Sequence, residues 1–183
     1  MSTPNVALVL LTTLALGASV AGAQSPGLGT PISERDIAAW DISAAPDGSG
    51  LPAGSGTPAQ GAKIYAEKCV VCHGPEGQGK PFAALIGGAP LTTGIDTSKT
   101  IANFWGYSSI VFDFVRRAMP FQAPRTLTDD EVYALTAYIL ALNKLIGEND
   151  VMDAKSLPQV RMPNRDNFII SFPRLTPPGT RNP

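Results

Sequence analysis

Cys69-Val70-Val71-Cys72-His73 is the stretch on which the reading of this chain turns. It has the form C-x-x-C-H, the attachment signal for a c-type haem. On a helical segment, residues three and four apart share a face, so Cys69, Cys72 and His73 project together. Two thiols on that face can add to the haem vinyl groups while the imidazole reaches the iron from the same side. The inventory strengthens the signal, because the chain's two Cys and one His all lie in this pentapeptide. A structural zinc site needs four N or S ligands. A thioredoxin-like C-x-x-C needs a βαβ context, which the pattern lacks. A disulfide between Cys69 and Cys72 would close a very small loop and add little.

Upstream of the motif, Thr57 is a good N-cap, Pro58 takes the first helical position and Gln60 completes a capping box. Gly61, Ile64, Tyr65 and Cys69 recur at helical spacing, which predicts a helix with the motif at its C-terminal end. Residues 24–56 are rich in Gly, Pro, Ser and Ala around a short apolar insert at Ile37, Trp40 and Ile42. Local packing is the expectation for Trp40, with cover of the haem domain or of a partner as the alternative. Residues 6–20 are nearly free of polar side chains, and Ala21-Gly22-Ala23 supplies an A-x-A cleavage site. Residues 1–23 are therefore expected to be a cleaved export signal, although residues 1–5 contain no Lys or Arg. A retained membrane anchor is the alternative, and the run is short for a span of about 20 residues. Export to the periplasm agrees with the haem motif, since bacterial c-type haem is attached outside the cytoplasm.

Downstream, residues 74–100 carry Gly at 74, 77, 79, 87, 88 and 94 and Pro at 75, 81 and 90, which predicts a loop. A loop of that length needs a reason, and wrapping a flat apolar cofactor is one. Residues 101–118 are the most aromatic part of the chain. Ser108 or Ser109 is expected to cap a helix running to about Ala118, with Arg116 and Arg117 at its C-terminal end and Pro120 as its stop. Thr128-Asp129-Asp130-Glu131 is a second capping box. Val132, Leu135, Ile139, Leu142 and Ile146 follow it as one stripe, with Tyr138 beside them and Lys144 and Gly147 marking the end. Pro at 158, 163, 173, 177, 178 and 183 predicts a tail that lies extended over the surface or is partly disordered. The expected organisation is a signal peptide at 1–23, an N-terminal extension at 24–56, a haem domain at 57–147 and a Pro-rich tail at 148–183. The expected class is all-α: helices around one covalently bound haem c, held by Cys69 and Cys72, with extended N- and C-terminal segments.

The formal charge of −1 is too neutral for a nucleic-acid binder. It is uneven: residues 24–150 hold 9 basic and 13 acidic side chains, net −4, and residues 151–183 hold 5 and 2, net +3. With one His, ligation of iron by two imidazoles is impossible. His73 fills one axial position, and Met119, Met152, Met162, a Lys or an open site remains for the other. Met119 is preferred. It lies 46 residues after His73, enough chain to pass round a haem edge, at a helix end fixed by Pro120. Ordinary core filling is its alternative. Met152 and Met162 read as surface packing near the tail.

A helix before C-x-x-C-H, a wrapping loop, a later Met and a closing helix with an aromatic resemble the class I cytochrome c family over residues 57–146. In that family a small residue and an aromatic of the first helix pack on the last helix, and Gly61, Tyr65 and Tyr138 match those roles. A narrower resemblance covers nearly the whole chain after residue 23. Asp41-Ile42, Pro46-Asp47-Gly48-Ser49-Gly50-Leu51-Pro52, Gly54-Ser55-Gly56-Thr57, Phe112-Asp113-Phe114-Val115-Arg116-Arg117-Ala118-Met119-Pro120 and Val160-Arg161-Met162-Pro163-Asn164-Arg165-Asp166 are similar to the SoxD-like cytochrome subunit of sulfur and sulfite dehydrogenases. That resemblance implies a periplasmic subunit accepting electrons from a molybdopterin partner and passing them to a downstream acceptor. Some members of that group carry two haem domains, whereas this chain has one C-x-x-C-H.

The expected function is single-electron transfer with His73 and Met119 both bound to iron, not catalysis. The alternatives are a general soluble carrier of a respiratory chain, a haem enzyme with a labile sixth ligand, and a subunit in which haem serves only to form the core. Asn103, Trp105 and Tyr107 are candidates for the haem propionates or are ordinary core and loop residues. The extension around Trp40 and the basic tail around Arg161 and Arg165 are the candidate partner-docking elements.

Overall fold

The computed structural model describes residues 27–88, 91 and 97–168; the expected signal peptide and the last fifteen residues lie outside them. Two compact units divide at Trp40. In the first, helix α1 (Glu34–Trp40) starts where the Ser33 hydroxyl donates to Asp36 at 2.6 Å. Trp40 is 79 % exposed, so the expected local packing is not observed. A helix of about two turns buries little by itself. Among the described residues, no helix is long and apolar enough to cross a membrane.

The second unit, residues 41–183, is helical as expected: α2 (Pro58–Lys68), α3 (Val70–His73), α4 (Ile101–Phe104), α5 (Ser108–Ala118) and α6 (Asp129–Leu142). A minimal antiparallel pair joins β1 (Ser55–Gly56) to β2 (Met152–Asp153), with Ser55 opposite Asp153. Both expected capping boxes form. Thr57 N–H donates to Gln60 Oε1 at 2.9 Å and Thr128 N–H to Glu131 Oε2 at 2.8 Å. The frame is α2 packed on α6. Gly61 permits their approach, since a Cβ there would stand 1.9 Å from the Ala134 carbonyl oxygen. Tyr65 packs on Tyr138 with ring centroids 5.2 Å apart and donates its hydroxyl to the Gly74 carbonyl at 2.8 Å. These are the roles expected of Gly61, Tyr65 and Tyr138. Phe112 of α5 stacks on Tyr133 of α6 at 4.4 Å, at the centre of the core.

Three expectations are corrected. Ser108 and Ser109 do not cap α5; its N-cap is Tyr107, without a side-chain cap bond. Both serines are buried, and their hydroxyls donate to the Leu157 carbonyl at 2.5 Å and the Pro46 carbonyl at 3.3 Å. A buried hydroxyl must find an acceptor, and the flanking segments supply both. The tail does not simply lie on the surface: Met152, Leu157, Val160 and Met162 belong to the hydrophobic core. Met152 and Met162, expected as surface packing, are 5 % and 1 % exposed. The apolar residues were masked in sequence by the prolines between them. Asn164 fixes the far end of this segment by donating from Nδ2 to the Phe104 carbonyl at 2.7 Å.

Candidate cofactor site

The C-x-x-C-H segment is built almost wholly from local bonds. Cys69 closes α2 by donating its N–H to the Tyr65 carbonyl at 2.9 Å. The N–H groups of Cys72 and His73 both donate to the Cys69 carbonyl, at 3.1 and 3.0 Å. Gly74, at φ 79°, turns the chain out of α3 in a conformation that favours glycine. The following loop folds back, with Gly79 N–H donating to the His73 carbonyl at 2.8 Å and Phe82 N–H to the Cys72 carbonyl at 3.1 Å. That return brings the Ala83 carbonyl to 3.0 Å from His73 Nδ1. A carbonyl oxygen only accepts, so Nδ1 carries the proton and Nε2 keeps its lone pair for a metal. Sequence reading had no signal for Ala83, because the group that acts is a backbone carbonyl.

Cys69, Cys72, His73 and Met119 line one cavity of about 640 Å³. Val111, Val115, Leu135 and Ile139 from α5 and α6 supply much of its apolar wall. Cys69 and Cys72 are not joined in a disulfide, and burial pushes the Cys69 thiol up to about 11. Met119 follows the last turn of α5, its N–H donating to the Val115 carbonyl at 3.1 Å. Met152 and Met162 do not line the cavity. Of the three candidate propionate partners only Trp105 does, packed edge-on to Phe114 at 5.5 Å. Asn103 accepts from Thr100 N–H at 2.7 Å and donates to the Ser98 carbonyl at 2.9 Å, which places it in the capping box of α4. The T-x-x-N spacing of residues 100–103 was the available, unread signal. Tyr107 lies under the Arg165 guanidinium at 4.8 Å.

Two lysines reach the cavity as well. Lys68 bonds to Glu131 at 2.8 Å and holds that carboxyl below its usual range, and Lys99 lies 5.4 Å over the Phe104 ring. The site fits a c-type haem: two thiols three residues apart, an imidazole with Nε2 free, a thioether and an apolar wall. Its volume is within the roughly 300–1,000 Å³ usual for cofactor sites.

Comparison with known proteins agrees with this reading. The family model for cytochrome c matches residues 58–143, from the first residue of α2 to the end of α6. The crystal structure of the sulfane dehydrogenase SoxCD from Paracoccus pantotrophus superposes with a TM-score of 0.73 at 38 % identity, covering 79 % of this chain and 72 % of that one. A thiosulfate dehydrogenase of Psychrobacter arcticus is 29 % identical over 100 residues, 51 % of this chain but only 28 % of that protein's length. With the model lying over the helical frame and a solved relative matched along most of both chains, this protein belongs to the cytochrome c family, whose members bind haem c covalently.

Proposed function

We propose that the chain is a periplasmic mono-haem cytochrome that passes single electrons as the accepting subunit or partner of a molybdenum-containing sulfur-compound dehydrogenase. The observation that carries this reading is the meeting of Cys69, Cys72, His73 and Met119 in one apolar cavity. In the proposed holoprotein Cys69 and Cys72 would carry the thioether links, and His73 Nε2 and the Met119 sulfur would hold the iron. Bound haem supplies a reversible one-electron couple. The chain's own part is to orient His73 through the Ala83 carbonyl, to exclude water with the α5 and α6 side chains, and to offer a weak thioether that raises the potential. The signal-peptide pattern of residues 1–23 supports a periplasmic site, and the likeness to sulfane dehydrogenase supports the choice of donor. Exposed Trp40 and the tail around Arg161 and Arg165 are the proposed docking elements.

One observation favours a second reading, a haem enzyme with a labile sixth ligand: the curated relative is itself a thiosulfate dehydrogenase. The two separate in one experiment. Haem-loaded protein is mixed with thiosulfate or sulfite, with and without a molybdenum sulfur dehydrogenase, and haem reduction is followed by absorbance. Reduction only in the presence of the dehydrogenase is expected. Rapid reduction by thiosulfate alone would establish the second reading in its place.

A further inference from the structure

The segment carrying Met119 is tied at its base by side chains that do not line the cavity. Helix α5 ends at Ala118 and α6 begins at Asp129, and the connection between them contributes Met119, Pro120, Phe121, Gln122 and Leu127 to the cavity. Arg116 Nε lies 2.9 Å from Asp129 Oδ1, joining the two ends of that connection. The other arm of the same guanidinium, Nη1, donates to the Ile42 carbonyl at 3.3 Å. On the same helix, Asp113 accepts from Ala44 N–H at 2.8 Å and from Arg117 Nε at 2.8 Å, and Arg117 Nη2 donates to Ser43 Oγ at 2.9 Å. Residues 42–44 are thus fastened to the C-terminal half of α5, which leads into Met119. Arg116 is the residue that links all three parts, and its side chain is only 20 % exposed.

We propose that Arg116, by bridging Asp129 and the Ile42 carbonyl, is a positioning residue that keeps the Met119 thioether on the iron. The inference rests on the ligation of iron by Met119 proposed above. A thioether is a soft, weak ligand, so its occupancy depends on how little freedom its segment has when it dissociates. Closing the base of a connection of ten residues removes conformers in which the sulfur is far from the metal. The planar fork of Arg can serve a carboxylate and a carbonyl together, which a Lys ammonium on a single stem does less well. An added ligand binds only where Met119 is displaced, so its apparent affinity reports the population of the loosened state.

The test uses haem-loaded full-length protein, with imidazole as the probe of the ferric form and carbon monoxide of the ferrous form. Arg116→Ala is expected to bind imidazole about three- to tenfold more tightly than wild type, the range of a partly buried ion pair with one further bond. It should also weaken the near-infrared Met-to-iron band, with Arg116→Lys intermediate. Tyr133→Phe removes a different bond to the N-terminal extension (24–56), from the Tyr133 hydroxyl to the Pro52 carbonyl at 2.8 Å. It should lower the unfolding temperature without changing imidazole affinity. Equal affinity in Arg116→Ala and wild type, or an equal increase in Tyr133→Phe, would overturn the proposal. Met119→Ala separates the two layers. If it leaves band and affinity unchanged, the ligation reading fails and takes this inference with it. If it changes both while Arg116→Ala changes neither, this inference alone fails.

Discussion

The segments carrying His73 and Met119 meet in one cavity but are held by different means. Around His73 the bonds are short in sequence: Cys72 and His73 to Cys69, Gly79 to His73, Phe82 to Cys72, and Ala83 to the imidazole ten residues back. Around Met119 they are long. Arg116 reaches Ile42 and Asp129, Asp113 reaches Ala44, and Ser108 and Ser109 reach Leu157 and Pro46. The first segment is folded by its own glycines and carbonyls, whereas the second depends on both chain extensions being in place. Disturbing the extensions should therefore injure the Met119 side before the His73 side.

The largest effect is expected from truncation after Gly147. It removes Met152, Leu157, Val160 and Met162, four core side chains at about 1.5–3 kcal/mol each. The total is comparable with the whole stability of a domain, about 5–15 kcal/mol. The truncated chain should lose cooperative thermal unfolding, and any residual haem protein should lack the Met-to-iron band. A truncated protein with wild-type unfolding and spectrum would refute the core role of the tail. Gly61→Ala comes next. It acts at the frame beneath both segments, since the added methyl would meet backbone at 1.9 Å. A loss of about 3 kcal/mol by denaturant titration is expected, and a loss below about 1 kcal/mol would mean that α2 and α6 can separate at little cost.

The smallest effect is alkaline. Burial pushes the hydroxyls of Tyr65, beside the C-x-x-C-H segment, and Tyr133, bonded to the Pro52 carbonyl, each from 10.0 to about 12. Between those values the unfolded chain has released the proton and the folded chain has kept it, so stability falls as pH rises through this window and is fully present below it. Tyr65→Phe and Tyr133→Phe should each flatten the fall between pH 10 and 12 in thermal unfolding. An unchanged slope in both would show that other groups carry it.

This contrast also explains what could be read from residues alone. The C-x-x-C-H motif, both capping boxes and the Gly61, Tyr65 and Tyr138 contacts were legible because each rests on fixed short spacings or on a single helix face. Met119, singled out by chain length and the scarcity of alternatives, lines the cavity. The burial of Met152 and Met162 could not, because prolines interrupt the apolar pattern and the surfaces they cover lie on distant helices. The same reason hid Ser108 and Ser109. Their positions resemble a cap, and only the approach of residues 46 and 157 gives their hydroxyls another acceptor.

The central claim is that His73 and Met119 hold one haem c between them, attached at Cys69 and Cys72. Its most direct test is near-infrared magnetic circular dichroism of the ferric haem-loaded protein, compared with Met119→Ala and with the volume-conserving Met162→Leu. The Met-to-iron band should be present in wild type, absent from Met119→Ala and retained in Met162→Leu. A band that survives in Met119→Ala, or that disappears in Met162→Leu instead, would contradict the account.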